Sequence, residues 1–497
     1  MKFRFIILFL PALCVFVFSC SSTRQSKFHP NKKYTAQVLR QDLSLLKEIL
    51  ESNHPSLYWY TTKDSLDNFF NTTINSITDS LTELEFKNKV AWFISKIHCG
   101  HTAVRSSKQY GKYFVGKRVA QFPLSLKIWN DTAVLISTAF RSDSILKRGT
   151  IVTSINGRSS KQLLDSMSKL ISSDGYSKNF SQQLISFNYP YYYRNTFGLD
   201  SQYRIQYIDS TGQTRIATFK NFIPVVDTSR RQRPQPLPAL TKKEQRKLSQ
   251  LNLRSLIIDT SLNTAFMRIS TFSDGSLKSF FKTSFRKMKH DGIKNLVIDL
   301  RENSGGNVMS STRLTQYLAE KPFIIADTVA AISRSFKHKK YIKPWFVYWL
   351  SMHFTGRRKS DNRIHFRYFE RHQFNPKNNH HFDGQVYVVA GGYTFSAATL
   401  VTGALKGQKN VTVVGEETGG GSYGNSAMHL PVVTLPASKV RIVLPLYRLV
   451  INKNNPKTGR GIFPDVEVPP SSLSIKKGVD VKIERVREMI RLNQSQK

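Results

Sequence analysis

Cysteine is nearly absent: 3 residues in 497, which excludes a disulfide framework. Acidic residues are scarce as well, 33 against 74 Lys and Arg, so the chain carries a formal charge of +41. Such an excess favours anionic neighbours, whether nucleic acid, lipid headgroups, lipopolysaccharide or acidic peptides. No His-Glu-x-x-His and no paired cysteines occur, so the sequence offers no metal motif and calls for no cofactor. Apolar residues make up 40% and aromatics 12%, enough for real cores, which excludes wholesale disorder.

A long hydrophobic run occurs at the N-terminus, Phe5 to Phe18, behind Lys2 and Arg4. It is shorter than the roughly 20 residues a spanning helix needs, and has the length of a secretory signal. It ends in Ser19-Cys20, which resembles a bacterial lipobox with Cys20 as the lipidated residue. Residues 1–20 are therefore expected to be a leader and 21–33 a tether, on the periplasmic side of a bacterial envelope. Removal of the leader takes Cys14 with it and leaves Cys99 as the one ordinary thiol. Export argues against a nucleic-acid partner.

The rest of the chain divides by pattern. From 34 to 110, apolar residues at three-to-four spacing (Leu39, Leu43, Leu46, Leu50) predict a helical cap. From 115 to 225 short strands predominate. Within them, Leu146 to Gly157 ends in Ile155-Asn156-Gly157 and resembles the signature of a PDZ domain, with Thr150 in place of the usual Asp. The stretch from Leu170 to Asn195 is longer and more aromatic than a minimal PDZ domain. Residues 226–252 are Pro-rich and basic, a linker. From 253 to 475, strands and helices alternate as in an α/β domain, a sheet covered by helices. A basic insert at about 322–383 interrupts it, and 476–497 forms a C-terminal helix or tail. In the insert, an aromatic stretch from Pro344 to Phe354 lies between cationic clusters. It fits either a lid over the site or contact with an anionic membrane surface.

Two Gly-rich turns carry candidate chemistry. Gly391-Gly392-Tyr393-Thr394-Phe395-Ser396 runs from a buried strand into a serine that opens a helix. Such a turn exposes a hydroxyl and points free helix N–H groups at a ligand, although a serine there also serves as a plain N-cap. Asp299-Leu300-Arg301-Glu302-Asn303-Ser304-Gly305-Gly306 is a second strand-to-turn exit, whose paired glycines allow close backbone approach to a ligand.

With Val413-Val414-Gly415-Glu416-Glu417-Thr418-Gly419, Gly461-Ile462-Phe463-Pro464-Asp465 and the Cys99-Gly100-His101-Thr102 turn, these segments resemble the C-terminal processing (tail-specific) protease family. The likeness is closer to its tricorn-core-like branch. The resemblance implies a serine endopeptidase acting on peptide or protein substrates. Its nucleophile falls on Ser396, its oxyanion donors on Gly306 and Ala397, and its base on His101. Gly421 occupies the position of the lysine used by the tail-specific branch, which favours Ser–His chemistry. Thr458 lies where the tricorn-like branch has its orienting glutamate, leaving Glu416, Glu417 or Asp465 as candidates, Glu416 first. A peptide-binding protein without turnover is the alternative.

Overall fold

The computed structural model describes residues 28–140, 143–224 and 240–495. Cys20 with the expected leader, most of the tether, and linker residues 225–239 lie outside the described residues.

The cap consists of helices Ala36–Asn53, Lys63–Asn75 and Glu83–Ser95. Pro55 restricts His54 to an extended backbone, which ends the first helix. Thr82 and Glu85 form a capping box at the third. The cap does not keep a core of its own. Leu39, Leu43, Leu46 and Leu50 share one cluster with Val433, Ile442 and Leu449 from the far end of the chain. Asp42 fastens the two parts: buried, it accepts the Ala437 N–H at 3.0 Å, the Ser438 N–H at 2.8 Å and the Ser438 hydroxyl at 2.7 Å.

Next comes an antiparallel sheet in the order Leu124–Trp129, Thr132–Thr138, Ile151–Ile155, Gln202–Ile208, Thr214–Lys220. Helices Ser160–Ser168, Asn179–Phe187 and Tyr189–Phe197 accompany it. This is a β-rich module; its architecture does not single out a PDZ domain. The aromatic stretch expected between Leu170 and Asn195 supplies the second and third of those helices and the loop before them.

The α/β domain is built on a six-stranded sheet: Arg254–Asp259, Thr264–Ile269, Asn295–Asp299, Gln385–Ala390, Val411–Gly415, Val466–Glu467. All neighbours are parallel except the first pair. Its strands read as apolar runs because both faces are covered. Leu296 and Ile298 pack toward helices Leu277–His290 and Ala397–Leu405, whereas Val297 packs toward helix Val481–Ser495.

The expected basic insert is part of the fold rather than an excursion from it. Its strands Thr328–Ala331, Arg357–Arg358 and Ile364–His365 join Tyr447–Val450 and Gly424–Ala427 in one antiparallel sheet. Helix Trp345–Thr355 rests on this framework, with Ser351 hydrogen-bonded to His429 at 2.9 Å and Met352 buried. Its inner face therefore meets His429.

Asp42→Ala strands three donors between cap and sheet. It is expected to lower unfolding free energy by about 2–4 kcal/mol, read as a shift of the urea midpoint.

Candidate active site

Two neighbouring parallel strands leave the sheet at the same level, with Asp299 opposite Val389. Their exit turns are then tied together. The Thr394 hydroxyl donates to the Leu300 carbonyl at 2.9 Å and accepts the Gly391 N–H at 3.0 Å. The Phe395 N–H donates to the Asn303 carbonyl at 3.0 Å. Asn303, fully buried, holds its own turn: its amide donates to the Ile269 carbonyl and its oxygen accepts the Gly305 N–H at 2.8 Å. Arg301 closes the outer side by pairing with Asp299 at 2.6 Å and Asp480 at 2.7 Å.

Ser396 sits at the N-cap of helix Ala397–Leu405 with φ +53 and ψ −120, and its side chain makes no capping bond. A non-glycine residue there stores about 1–3 kcal/mol of backbone strain. The surroundings hold it: Ala398 N–H donates to the Phe395 carbonyl at 3.0 Å, and the Thr399 hydroxyl donates to the Thr394 carbonyl at 3.1 Å. The hydroxyl is thereby half-exposed at the start of a nine-residue helix, where the helix dipole is positive. Gly305, at φ +102, lies so close that an added Cβ would be 2.7 Å from Ser396 Cβ and 3.0 Å from Ala397 N. The next residue, Gly306, is exposed. Among the described residues, neither the Gly306 N–H nor the Ala397 N–H donates to a protein acceptor.

His101 is buried, and neither ring nitrogen has a hydrogen-bond partner among the described residues, so none bridges it to Ser396. Its ring lies 4.7 Å from that of Phe395, which in turn stacks at 4.6 Å on Phe180. Burial holds the imidazole down to about 4, well below its ordinary value.

The carboxylate facing His101 is Asp174, in the loop before helix Asn179–Phe187. Its Oδ1 lies 4.0 Å from His101 Nδ1 and accepts the Gly100 N–H at 2.8 Å, while Oδ2 has no partner. Burial pushes this carboxyl up to about 7, against the pull of the Gly100 and Gly421 N–H groups. Asp174 is the residue that the sequence reading missed; an Asp-Gly pair in an insertion was its only signal. Gly100 is the matching adaptation, since a Cβ there would lie 2.7 Å from Phe395 Cζ.

The three carboxylates favoured from sequence are engaged elsewhere. Glu416, the first candidate, pairs with Lys482 and not with His101. Glu417 holds Arg460 at 2.6 Å and the Gly461 N–H at 2.7 Å. Asp465 accepts the Val413 N–H at 2.8 Å and pairs with Lys406 at 2.9 Å. Burial pushes the Cys99 thiol up to about 12, which leaves it inert beside the histidine. Among the described residues no group of three or more His, Cys, Asp or Glu is placed to hold a metal ion.

Residues 263–468, which hold five of the six strands of this sheet and both turns, match the family model of Peptidase family S41. Mature CPAF is similar in fold, at 14% identity and TM-score 0.63, covering 92% of this chain and 97% of that one. Mature CPAF complexed with lactacystin gives 13% identity and TM-score 0.64 over 92% and 98%. A looser likeness to the tricorn protease, 11% identity and TM-score 0.40, covers 92% of this chain and 37% of that one. The chain matches no curated protein. The chain has the fold seen in mature CPAF.

The raised Asp174 carboxyl binds its proton more tightly in the folded than in the unfolded chain. Its contribution to stability is full below about pH 4 and is lost as pH rises through about 7. Asp174→Asn cannot ionise. It is expected to melt above the wild type at about pH 8, with the gap closing toward about pH 5, in paired calorimetric scans.

Proposed function

We propose that this chain is a serine endopeptidase of the bacterial cell envelope, held on its periplasmic side through Cys20, that cleaves peptide bonds through an acyl-enzyme on Ser396. The observation that carries the reading is the strained Ser396 at a helix N-terminus, next to the unspent Ala397 N–H, with Gly305 packed against both and the Gly306 N–H unspent in the same turn as Gly305. Two N–H donors at that junction are what a tetrahedral oxyanion requires.

In this mechanism His101 takes the Ser396 Oγ proton as Oγ attacks the peptide carbonyl. Gly306 and Ala397 hold the oxyanion, and His101 returns the proton to the departing amine. Water, deprotonated by the same histidine, then releases the acyl group. Asp174 serves as the positioning acid: ionised, it accepts from His101 Nδ1 and fixes the other nitrogen as the base. The 4.0 Å separation must shorten by about 1 Å for that bond to form. Apo sites commonly tighten in this way when substrate binds.

The substrate is a peptide or protein. A cavity of about 550 Å³ lined by Phe187, Tyr191, Tyr192 and Tyr393 adjoins the serine turn and offers an aromatic wall to an apolar side chain. Helix Asn179–Phe187 builds both this wall and the Phe180 stack on Phe395, so the β-rich module takes part in the site.

Turnover of a quenched-fluorescent peptide library tests the reading. Ser396→Ala and His101→Ala are expected to abolish hydrolysis while leaving the melting profile intact. Asp174→Asn is expected to lower kcat by about 10⁴, as for other orienting acids. In the wild type, kcat/KM should rise with pH through about 7, where Asp174 ionises, because His101 is already neutral there. A flat profile, or full activity in Asp174→Asn, removes Asp174 from the mechanism. Peptide binding without turnover in the wild type supports the peptide-binding alternative instead.

A further inference from the structure

Helix Trp345–Thr355 presents two unlike faces. Met352 is buried and Ser351 is bonded to His429, as described above. On the outside, Phe346, Val347, Leu350 and Phe354 stand 54%, 58%, 41% and 74% exposed. Their spacing of one, three and four residues places them on a single stripe. Four neighbouring apolar side chains left open on one helix are not the scattered exposure of an ordinary surface. Trp345, Tyr348 and Trp349 flank the stripe half-buried. That is the position in which indole and phenol rings settle at a membrane–water boundary.

The charges around it decide what covers it. Lys337, Lys339, Lys340 and Lys343 precede the helix and Arg357 and Arg358 follow it, all exposed. Among the described residues none of the six is in a salt bridge with an acidic side chain. Lys339 lies over the Trp345 ring at 4.9 Å, which draws the cationic cluster against the aromatic end of the stripe. A second copy of the chain placed symmetrically on this face would bring these cations against their own images. An anionic lipid surface instead pairs with them while it takes up the apolar side chains. At 11 residues the helix is about 16 Å long, half a bilayer core, so it lies in the surface and does not cross it. No helix of the described residues is long and apolar enough to cross a membrane.

We infer that helix Trp345–Thr355 docks this protein onto an anionic lipid surface, with Phe346, Val347, Leu350 and Phe354 inserted among the headgroups and the flanking lysines and arginines on the lipid charges. This contact is independent of any lipid on Cys20 and of whether Ser396 is active. It would set the face of the molecule that looks at the membrane.

The test uses the chain from Ser21 onward, which keeps every described residue and carries no lipid. It is sedimented with vesicles of equal parts phosphatidylglycerol and phosphatidylcholine, and with vesicles of phosphatidylcholine alone. The expected result is at least about tenfold stronger binding to the anionic vesicles, weakening as salt is raised. The combined variant Phe346→Ser, Leu350→Ser, Phe354→Ser is expected to lose about tenfold or more of that binding at unchanged melting temperature. Lys339→Ser with Lys340→Ser and Lys343→Ser is expected to flatten the salt dependence. Equal binding to both vesicle types, or undiminished binding by the apolar variant, overturns the inference. So does a dimer in light scattering that the apolar variant dissolves in a protein with no vesicle affinity.

Discussion

The site depends on one constraint: two strand exits, side by side in a parallel sheet, are locked to each other by the Thr394 hydroxyl on the Leu300 carbonyl and by the Phe395 N–H on the Asn303 carbonyl. Parallel pairing fixes the level at which both turns leave the sheet. The lock then fixes their separation to hydrogen-bond precision. Everything chemical follows from that. Ser396 is held in a conformation it would not choose, and Gly305 is pressed against it where no side chain fits. The Ala397 N–H beside it and the Gly306 N–H in the turn of Gly305 are left without protein acceptors among the described residues. The strain in Ser396 persists because the surroundings leave the turn no other way to close.

Other parts of the chain arrive at this fixed point from far away in sequence. His101 comes from the end of the cap, Asp174 and Phe180 from the β-rich module. Their mutual packing is aromatic and apolar, so both titratable groups are displaced toward neutrality: the histidine down and the carboxyl up. A buried pair of this kind costs stability in its charged form. The cap and the antiparallel sheets share one core, and Asp42 ties them, so the position of His101 is set by the whole molecule rather than by its own turn.

What the sequence could show was local. Strand and turn exits at Asn295–Asp299 and Gln385–Ala390 are legible because apolar runs, glycines and a helix-opening serine lie within a few residues of one another. The α/β layering and the helical cap follow from the same short-range patterns. The shared core was not legible, since periodicity says which face of a helix is apolar but not which distant strand will meet it. The basic segment looked like an insertion because its strands are two to four residues long, too short to signal pairing with Tyr447–Val450. The acid beside His101 was misplaced for a physical reason too. Glu416 is near in motif but spends its charge on Lys482, whereas Asp174 becomes relevant only when a loop folds over Gly100.

The central claim is that Ser396 is an activated nucleophile served by His101. Covalent capture tests it most directly: the purified protein is treated with a fluorophosphonate probe, and the modified residue is located by mass spectrometry in the wild type and in His101→Ala. The account predicts a single adduct on Ser396 in the wild type and none, or far slower formation, in the variant. A folded wild-type protein that stays unlabelled, or an adduct that forms equally fast without His101, would contradict it.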